Sequence, residues 1–306
     1  MNRKIINYFL AIFTFLSCHI YAAAVVRKLR TWRKQFGTIF KYSGGDTSLA
    51  SVYNLPGNPG LGVRGLTKVG NFYYGCTFSS GTYGTGIIFR YDLISKTYNV
   101  LYNFIYSEGS QPNGTLLLAS NGKLYGTTVV GGPSNGGVIF EFDIQTNTYT
   151  NKFSFNPLIS GSYPQSNLIQ ASNGKIYGAA ANGGLFGYGT LFEYDINTNT
   201  FTNKFDFSQT FGEIPVGGLF ETPTGSLIGT TMNGGANNYG VIYEYDLILD
   251  TCYKRLDFNG SNGKNPLSAF VYAGGSKLLG VTSLGGNNDC GVLFEYDYST
   301  FTCIKK

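Results

Sequence analysis

A fixed interval between glycines constrains this chain more than any other feature. Gly75, Gly126, Gly178, Gly229 and Gly280 each end an apolar run, and they stand 51 or 52 residues apart. A second glycine follows each at a distance of 11 residues (Gly86, Gly137, Gly189, Gly240, Gly291), and an aspartate 6 residues further on (Asp92, Asp143, Asp195, Asp246, Asp297). A period of about 50 residues is the mark of a repeat architecture. Intervals inside the unit never change, so the single residue of slippage falls between the last strand of one unit and the first of the next. Connecting loops absorb insertions there.

Residues 171–207 (ASNGKIYGAAANGGLFGYGTLFEYDINTNTFTNKFDF) show the unit most clearly, and it reads as four strands. The first is an apolar run after a proline, as after Pro112 and Pro164, with Pro215 and Pro266 in the same place. Asn121-Gly122 and Asn173-Gly174 then predict a two-residue hairpin of type I′, which needs positive φ at both central positions. The second strand runs into a Gly-Gly pair. The third alternates, so that Leu191 and Glu193 face one way and Phe192 and Tyr194 the other. An Asp-x-x-Thr turn leads into a fourth, aromatic strand.

One four-stranded sheet of this size cannot bury both of its faces, whereas radial stacking gives each face a neighbour. Parallel β-helices need shorter coils, and helical solenoids need a 3.6-residue period that is not found after residue 35. The expectation is an all-β chain: a β-propeller of four-stranded antiparallel blades over residues 37–306, with five full blades plus an N-terminal half blade, in a five- or six-membered ring. GTIFKYSG from Gly37 matches a third strand and SLASVYNL a fourth, without the two strands that should precede them. The chain ends on a fourth strand, so no spare first and second strands are left to donate. Imperfect closure, or descent from a longer repeat protein, is expected.

The order of strand, Gly-Gly, loop and Y-D-x-x-T-N-x-aromatic resembles kelch repeats, with Tyr149 and Phe201 where kelch units carry Trp. More closely, G-K-(L/I)-Y-G followed by Gly-Gly and Y-G-x-(L/I)-F-E-(Y/F)-D is similar to the GloVer-type tandem repeats of secreted bacterial propeller proteins. The resemblance spans about residues 37–306. It implies the fold, and it implies no particular activity, because a fold does not carry a function with it. A C-terminal anchor or sorting region, which the family often adds, is not expected after Lys306.

The N-terminus reads differently. Arg3 and Lys4 precede a charge-free stretch from Ile5 to Val26 that ends in Tyr21-Ala22-Ala23-Ala24. Charged start, apolar middle and small-residue end predict a signal peptide over residues 1–24. The alternatives are a membrane anchor over residues 5–26, since about 20 apolar residues span a bilayer, and a poor lipoprotein box at Cys18. Residues 25–36 form a basic linker arm; the five cations within 27–34 would prefer the cytoplasmic side. With Arg3, Lys4 and those five set aside, 15 of the 22 Lys and Arg remain against 17 acids, leaving the repeat domain near neutral. A nucleic-acid partner would need a basic patch, and none is expected. The membrane is met only through the N-terminal segment.

Chemistry is thinly represented. The one histidine, His19, lies in the leader, so the repeat domain has no imidazole for a Ser-His-Asp triad or a histidine metal site. Nine acids are repeat framework, namely the five aspartates and Glu141, Glu193, Glu244 and Glu295; as such they read as turn caps or solvent-facing strand residues. The unrepeated acids (Asp46, Glu108, Glu213, Glu221, Asp250, Asp289) show no joining spacing. A polysaccharide-acting enzyme would have to bring a pair such as Glu213 and Asp289 within about 10 Å. Asn287-Asn288-Asp289 is the one candidate for calcium and reads better as a loop tip. Cys76, Cys252, Cys290 and Cys303 are expected as free thiols, with a Cys76–Cys290 pair open only in a five-membered ring. The Gly-Gly pairs lack the helix and Lys-Ser/Thr that would hold phosphate. No catalytic, metal or cofactor site is therefore expected. What remains is recognition of a glycan or protein by a monomeric scaffold, secreted or at the cell envelope. Its candidate contacts are unrepeated loop aromatics: Tyr83, Tyr163, Phe186, Tyr188, Phe211 and Tyr239, with Tyr106 beside them.

Overall fold

The computed structural model describes residues 38–42, 49–54 and 62–306. The expected signal peptide and basic arm lie outside them. β1 (Thr38–Tyr42) and β2 (Leu49–Asn54) pair antiparallel as a two-stranded sheet, Thr38 opposite Asn54. The first four-stranded sheet holds β3 (Val63–Val69), β4 (Phe72–Thr77), β5 (Ile87–Asp92) and β6 (Tyr98–Asn103). The second holds β7 (Ser110–Leu118), β8 (Leu124–Val130), β9 (Val138–Asp143) and β10 (Thr148–Ser154). In the third, the first strand is split into β11 (Ser162–Pro164) and β12 (Ile169–Gln170), before β13 (Ile176–Asn182), β14 (Thr190–Asp195) and β15 (Thr200–Asp206). The fourth holds β16 (Phe220–Glu221), β17 (Ser226–Thr231), β18 (Val241–Asp246) and β19 (Thr251–Asp257). The fifth has another split first strand, β20 (Lys264–Pro266) and β21 (Val271–Gly274), then β22 (Lys277–Leu284), β23 (Leu293–Asp297) and β24 (Thr302–Lys305). Strand order within every sheet follows chain order.

The landmark glycines mark close packing inside each sheet. Gly178 pairs with Phe192 across β13 and β14, and a Cβ on Gly178 would come within 2.6 Å of the Phe192 ring. The same pair recurs as Gly75 with Phe89, Gly126 with Phe140, Gly229 with Tyr243, and Gly280 with Phe294. Each aromatic ring thus lies over a strand that leaves room for it. The landmark aspartates end the third strands by accepting backbone N–H groups: Asp195 Oδ1 takes Asn197 N at 2.8 Å, and Asp92, Asp143, Asp246 and Asp297 do likewise.

Cores form between consecutive sheets because the third strand alternates. Leu191 packs forward against Leu227, Tyr243 and Tyr245, while Phe192 and Tyr194 pack backward against Tyr125, Ile139 and Phe155. Fourth-strand aromatics extend the first three seams, as where Phe153 and Phe201 stack with centroids 3.8 Å apart. Burial of an aromatic or large aliphatic side chain contributes about 1.5–3 kcal/mol, so these seams supply most of what holds one sheet to the next.

Two sequence expectations need correction. The hairpins at Asn121-Gly122 and Asn173-Gly174 are not type I′, because positive φ occurs only at the glycines (77° and 81°). Gly122 N–H donates to Ala119 O, and Asn121 Oδ1 accepts Lys123 N–H. This is a three-residue loop with glycine at its left-handed position. Nor are the framework glutamates solvent-facing: Glu141 and Glu193 are each only 7% exposed. Lys175 Nζ reaches Glu193 Oε1 at 2.6 Å and Tyr177 Oη donates to Oε2 at 2.6 Å, and Lys123 and Tyr125 hold Glu141 in the same way. A buried carboxylate needs such partners.

A bulge that the sequence does not signal recurs between third and fourth strands, where pairing slips at Ile88/Phe89, Asn151/Phe153, Leu191/Phe192 and Ile242/Tyr243. The skipped residue is Lys152, Lys204 or Arg255 in the second to fourth sheets. A bulge re-aims the extra side chain: Lys204 pairs with Asp250 of the next sheet at 2.8 Å, and Arg255 with Glu244 at 2.6 Å.

Candidate binding face and central cavity

Two sets of loops lie on one side of the sheets because backbone bonds tie them together. In the second to fifth sheets the loop between second and third strands donates a glycine N–H to the connection that enters its own sheet: Gly132 to Tyr106 O, Gly184 to Pro157 O, Gly235 to Gln209 O and Gly286 to Gly260 O, at 2.9–3.0 Å. A second bond joins the corresponding loop of each of the first four sheets to the sheet that follows. Gln111, Tyr163, Ile214 and Asn265 donate N–H to Thr85, Gly136, Tyr188 and Tyr239 respectively, at 2.8–3.1 Å. All four donors have φ of +53° to +60°. For a β-branched residue such as Ile214 this backbone is rare, and the neighbouring sheet holds it in place.

The six candidate aromatics divide by burial. Tyr83 is 63% exposed and Phe186 55%. Tyr163, Tyr188 and Tyr239 are half-buried at the joints just described. Tyr188 packs into the seam of the third and fourth sheets, and Lys264 Nζ sits 4.9 Å from the centre of the Tyr239 ring. Phe211 packs on Phe205, centroids 4.6 Å apart. The exposed Tyr106 donates from Oη to Asn135 Oδ1 at 2.6 Å. The bond from Gly184 to Pro157 also brings together two loop tips whose apolar residues are uncovered: Leu158 (84% exposed), Ile159 (71%), Leu185 (73%) and Phe186. The corresponding tips of the other sheets carry Thr82-Tyr83, Pro133-Ser134, Ala236-Asn237 and Asn287-Asn288.

Beneath this face lies a cavity of about 310 Å³, lined by Arg64, Phe78, Asn113, Val129, Gln165, Val216 and Leu267. Five of these come from equivalent positions in five sheets. Val63, Pro112, Pro164 and Pro266 each pair with the residue two beyond the landmark glycine of their own sheet, and Arg64, Asn113, Gln165 and Leu267 follow them directly. Val216 follows Pro215. First strands therefore converge on the cavity, and one residue after each proline position looks into it. Sequence spacing hid Arg64, because it stands 11 residues before Gly75, whereas Asn113 stands 13 before Gly126. The prolines were the usable signal.

Among the described residues no carboxylate lines the cavity. Glu213 forms a backbone bridge with Asn233 in the connection to the fourth sheet, and Asp289 Oδ1 accepts Gly285 N–H and Lys264 Nζ at a loop tip. Among the described residues no three His, Cys, Asp or Glu side chains cluster as metal ligands. The four described cysteines are all free: Cys76 is buried, Cys252 and Cys303 half-buried and Cys290 exposed, so the Cys76–Cys290 pair is not formed. Among the described residues no helix is long and apolar enough to cross a membrane.

Comparison with solved structures finds similarity at low identity. The extracellular domain of the one-component system BT4673 from B. thetaiotaomicron superposes with a TM-score of 0.59 at 14% identity, over 87% of this chain and 30% of that one. The extracellular domain of the hybrid two-component system BT3049 from the same organism gives 0.48 at 18% identity, over 73% and 26%. The tricorn protease gives 0.47 at 13% identity, over 88% and 24%. This chain thus spans less than a third of the length of each of these proteins. No curated protein matches it. The first superposition supports a repeat-based, propeller-like arrangement of sheets around the cavity. The Gloeobacter/Verrucomicrobia repeat profile matches residues 30–231, about two thirds of the chain, and the protein belongs to that family.

Proposed function

We propose that this chain is an exported, non-catalytic β-propeller whose loop face binds a glycan or protein ligand at the cell envelope. Five full blades surround the cavity, and the β1–β2 hairpin stands as an incomplete sixth. The observation that carries the reading is the uncovered group Leu158, Ile159, Leu185 and Phe186, held side by side by the Gly184–Pro157 bond. Isolated exposed apolar residues are ordinary, but a contiguous group flanked by polar loops marks an interaction surface. Tyr83 and Tyr106 add aromatic faces on the same side, suited to stacking on sugars. The framework acids are engaged in pairs or turn caps, and among the described residues no carboxylate pair for glycoside hydrolysis lines the cavity. Export is supported by the leader-like residues 1–24, and BT4673, which shares the fold, has it in an extracellular domain.

Arrays of glycans and of envelope proteins, probed with the purified chain and with the variant Leu158→Ser/Phe186→Ser, test the reading. Retained ligands that the variant loses are expected. An array on which neither protein retains anything would overturn it. Export is tested separately by mass spectrometry, which should find residues 1–24 missing from extracytoplasmic protein.

A further inference from the structure

The cavity contains one charge that the framework does not explain. The repeat places Asn113, Gln165, Val216 and Leu267 at the positions equivalent to Arg64, so the architecture requires no cation there. Arg64 nonetheless points its guanidinium into the cavity, 4.4 Å from the centre of the Phe78 ring. Its Nε is buried without a hydrogen-bond partner, and among the described residues no acid pairs with it. Burial alone draws its pKa below the usual arginine value. Arg64 is half-buried, and a cation held partly out of water with only an aromatic face beside it costs free energy unless an anion compensates it.

The groups around Arg64 say what that something is. Asn113 Nδ2 donates to Gln165 O at 3.0 Å, which fixes the Asn113 amide at the wall, and the Gln165 side-chain amide has no partner among the described residues. Val129, Val216 and Leu267 make the remaining wall apolar. One planar cation, two amides and an aliphatic side fit a monoanion with a small apolar body. Guanidinium binds carboxylate through two parallel N–H bonds. The volume of about 310 Å³ lies at the lower end for ligand pockets and limits the body to a few carbons or one sugar ring.

We infer that the central cavity is a binding site for a carboxylate-bearing small molecule, with the anion on Arg64, the Asn113 and Gln165 amides beside it, and the apolar body against Val129, Val216 and Leu267. The carboxylate belongs either to a free short-chain acid or to a uronic-acid unit of a glycan. This site is separate from the loop tips: Arg64→Gln removes it and leaves the Leu158/Phe186 surface intact, so either assignment can fail without the other.

Calorimetric titration of the full chain with hexanoate, with glucuronate and with inorganic phosphate tests the inference. Saturable one-to-one binding of one of the two carboxylates is expected, weakened about tenfold or more by Arg64→Gln, because charge-assisted bonds are the strong ones. Hexanoate alone identifies a free acid, and glucuronate alone a sugar acid. If neither carboxylate saturates, if phosphate binds as tightly as they do, or if Arg64→Gln binds unchanged, the inference is overturned. Should Arg64→Gln fail to fold, Val216→Trp fills the cavity while keeping Arg64 in place. Lost binding in that folded variant supports the site, and retained binding overturns it.

Discussion

Gly189 and Pro215 touch across two sheets: a Cβ on Gly189 would stand 2.6 Å from Pro215 Cδ and 2.5 Å from Ala180 O. Gly86 with Pro112, Gly137 with Pro164 and Gly240 with Pro266 make the same contact. The third-strand glycine of one unit is therefore the seat of the next unit's proline. Gly189 also has φ of +105°, so Gly189→Ala meets both backbone strain and a steric block. A loss of about 2–4 kcal/mol is expected, measured by urea denaturation. Gly174→Ala, with φ of +81° and open space around it, serves as the comparison and should cost about 1 kcal/mol. Equal losses in the two variants would show that the contact is unimportant.

The first two seams between four-stranded sheets each hold a stacked aromatic pair. Phe153 and Phe201 lie 3.8 Å apart at 1° between planes, and Tyr102 and Tyr149 4.3 Å apart at 4°. A double-mutant cycle with Phe153→Leu and Phe201→Leu should return a coupling of about 0.5–1.5 kcal/mol. Additive losses would place the stabilisation in burial alone.

Glu141 predicts an acid-limb loss of stability. Burial pushes its pKa up, but the Lys123 and Tyr125 hydrogen bonds and the Lys152 charge outweigh this and hold it below the usual glutamate range. A lowered folded pKa means that its contribution is complete above the unfolded value of about 4.3 and disappears as pH falls through the folded value. Glu141→Gln should cost about 1–2 kcal/mol at pH 7, and the difference from wild type should shrink toward pH 3. Urea midpoints that stay parallel over that range would contradict the assignment.

Thiol reactivity should separate the cysteines. Burial pushes the Cys76 thiol strongly up, and Cys303 up to about 11, whereas Cys290 is exposed on a loop. Reactivity follows thiolate content and access. A chromogenic disulfide added to the folded chain should modify Cys290 first and Cys76 only on unfolding, as peptide mapping would show.

Strand order and the four-stranded unit were legible because each sheet pairs strands that are consecutive in the chain, and Leu191, Phe192 and Tyr194 alternate plainly. What the pattern missed depends on contacts between units. Arg64 escaped notice because its first strand is two residues closer to the landmark glycine than in other units. The buried state of Glu141 and Glu193 did leave a trace, since Lys123 and Lys175 each precede their glutamate by 18 residues, as Lys277 precedes Glu295. The bulges at Lys152, Lys204 and Arg255 left none, because a lysine or arginine in an aromatic strand reads equally well as an ordinary outward residue. Burial of Tyr188, Phe211 and Tyr239 followed from neighbouring sheets that the spacing of their own loops did not reveal.

The seat that Gly137 offers to Pro164 has a consequence for how such an array can be cut and rejoined. A cassette spanning residues 123–173, from one Asn-Gly hairpin to the next, carries both halves of that contact and the Tyr163–Gly136 bond beside it. A cassette bounded by whole sheets carries one half of each and must borrow the other from whatever follows. Duplication or grafting should therefore succeed when the splice falls in the hairpin, and fail more often when it falls in the connection between sheets.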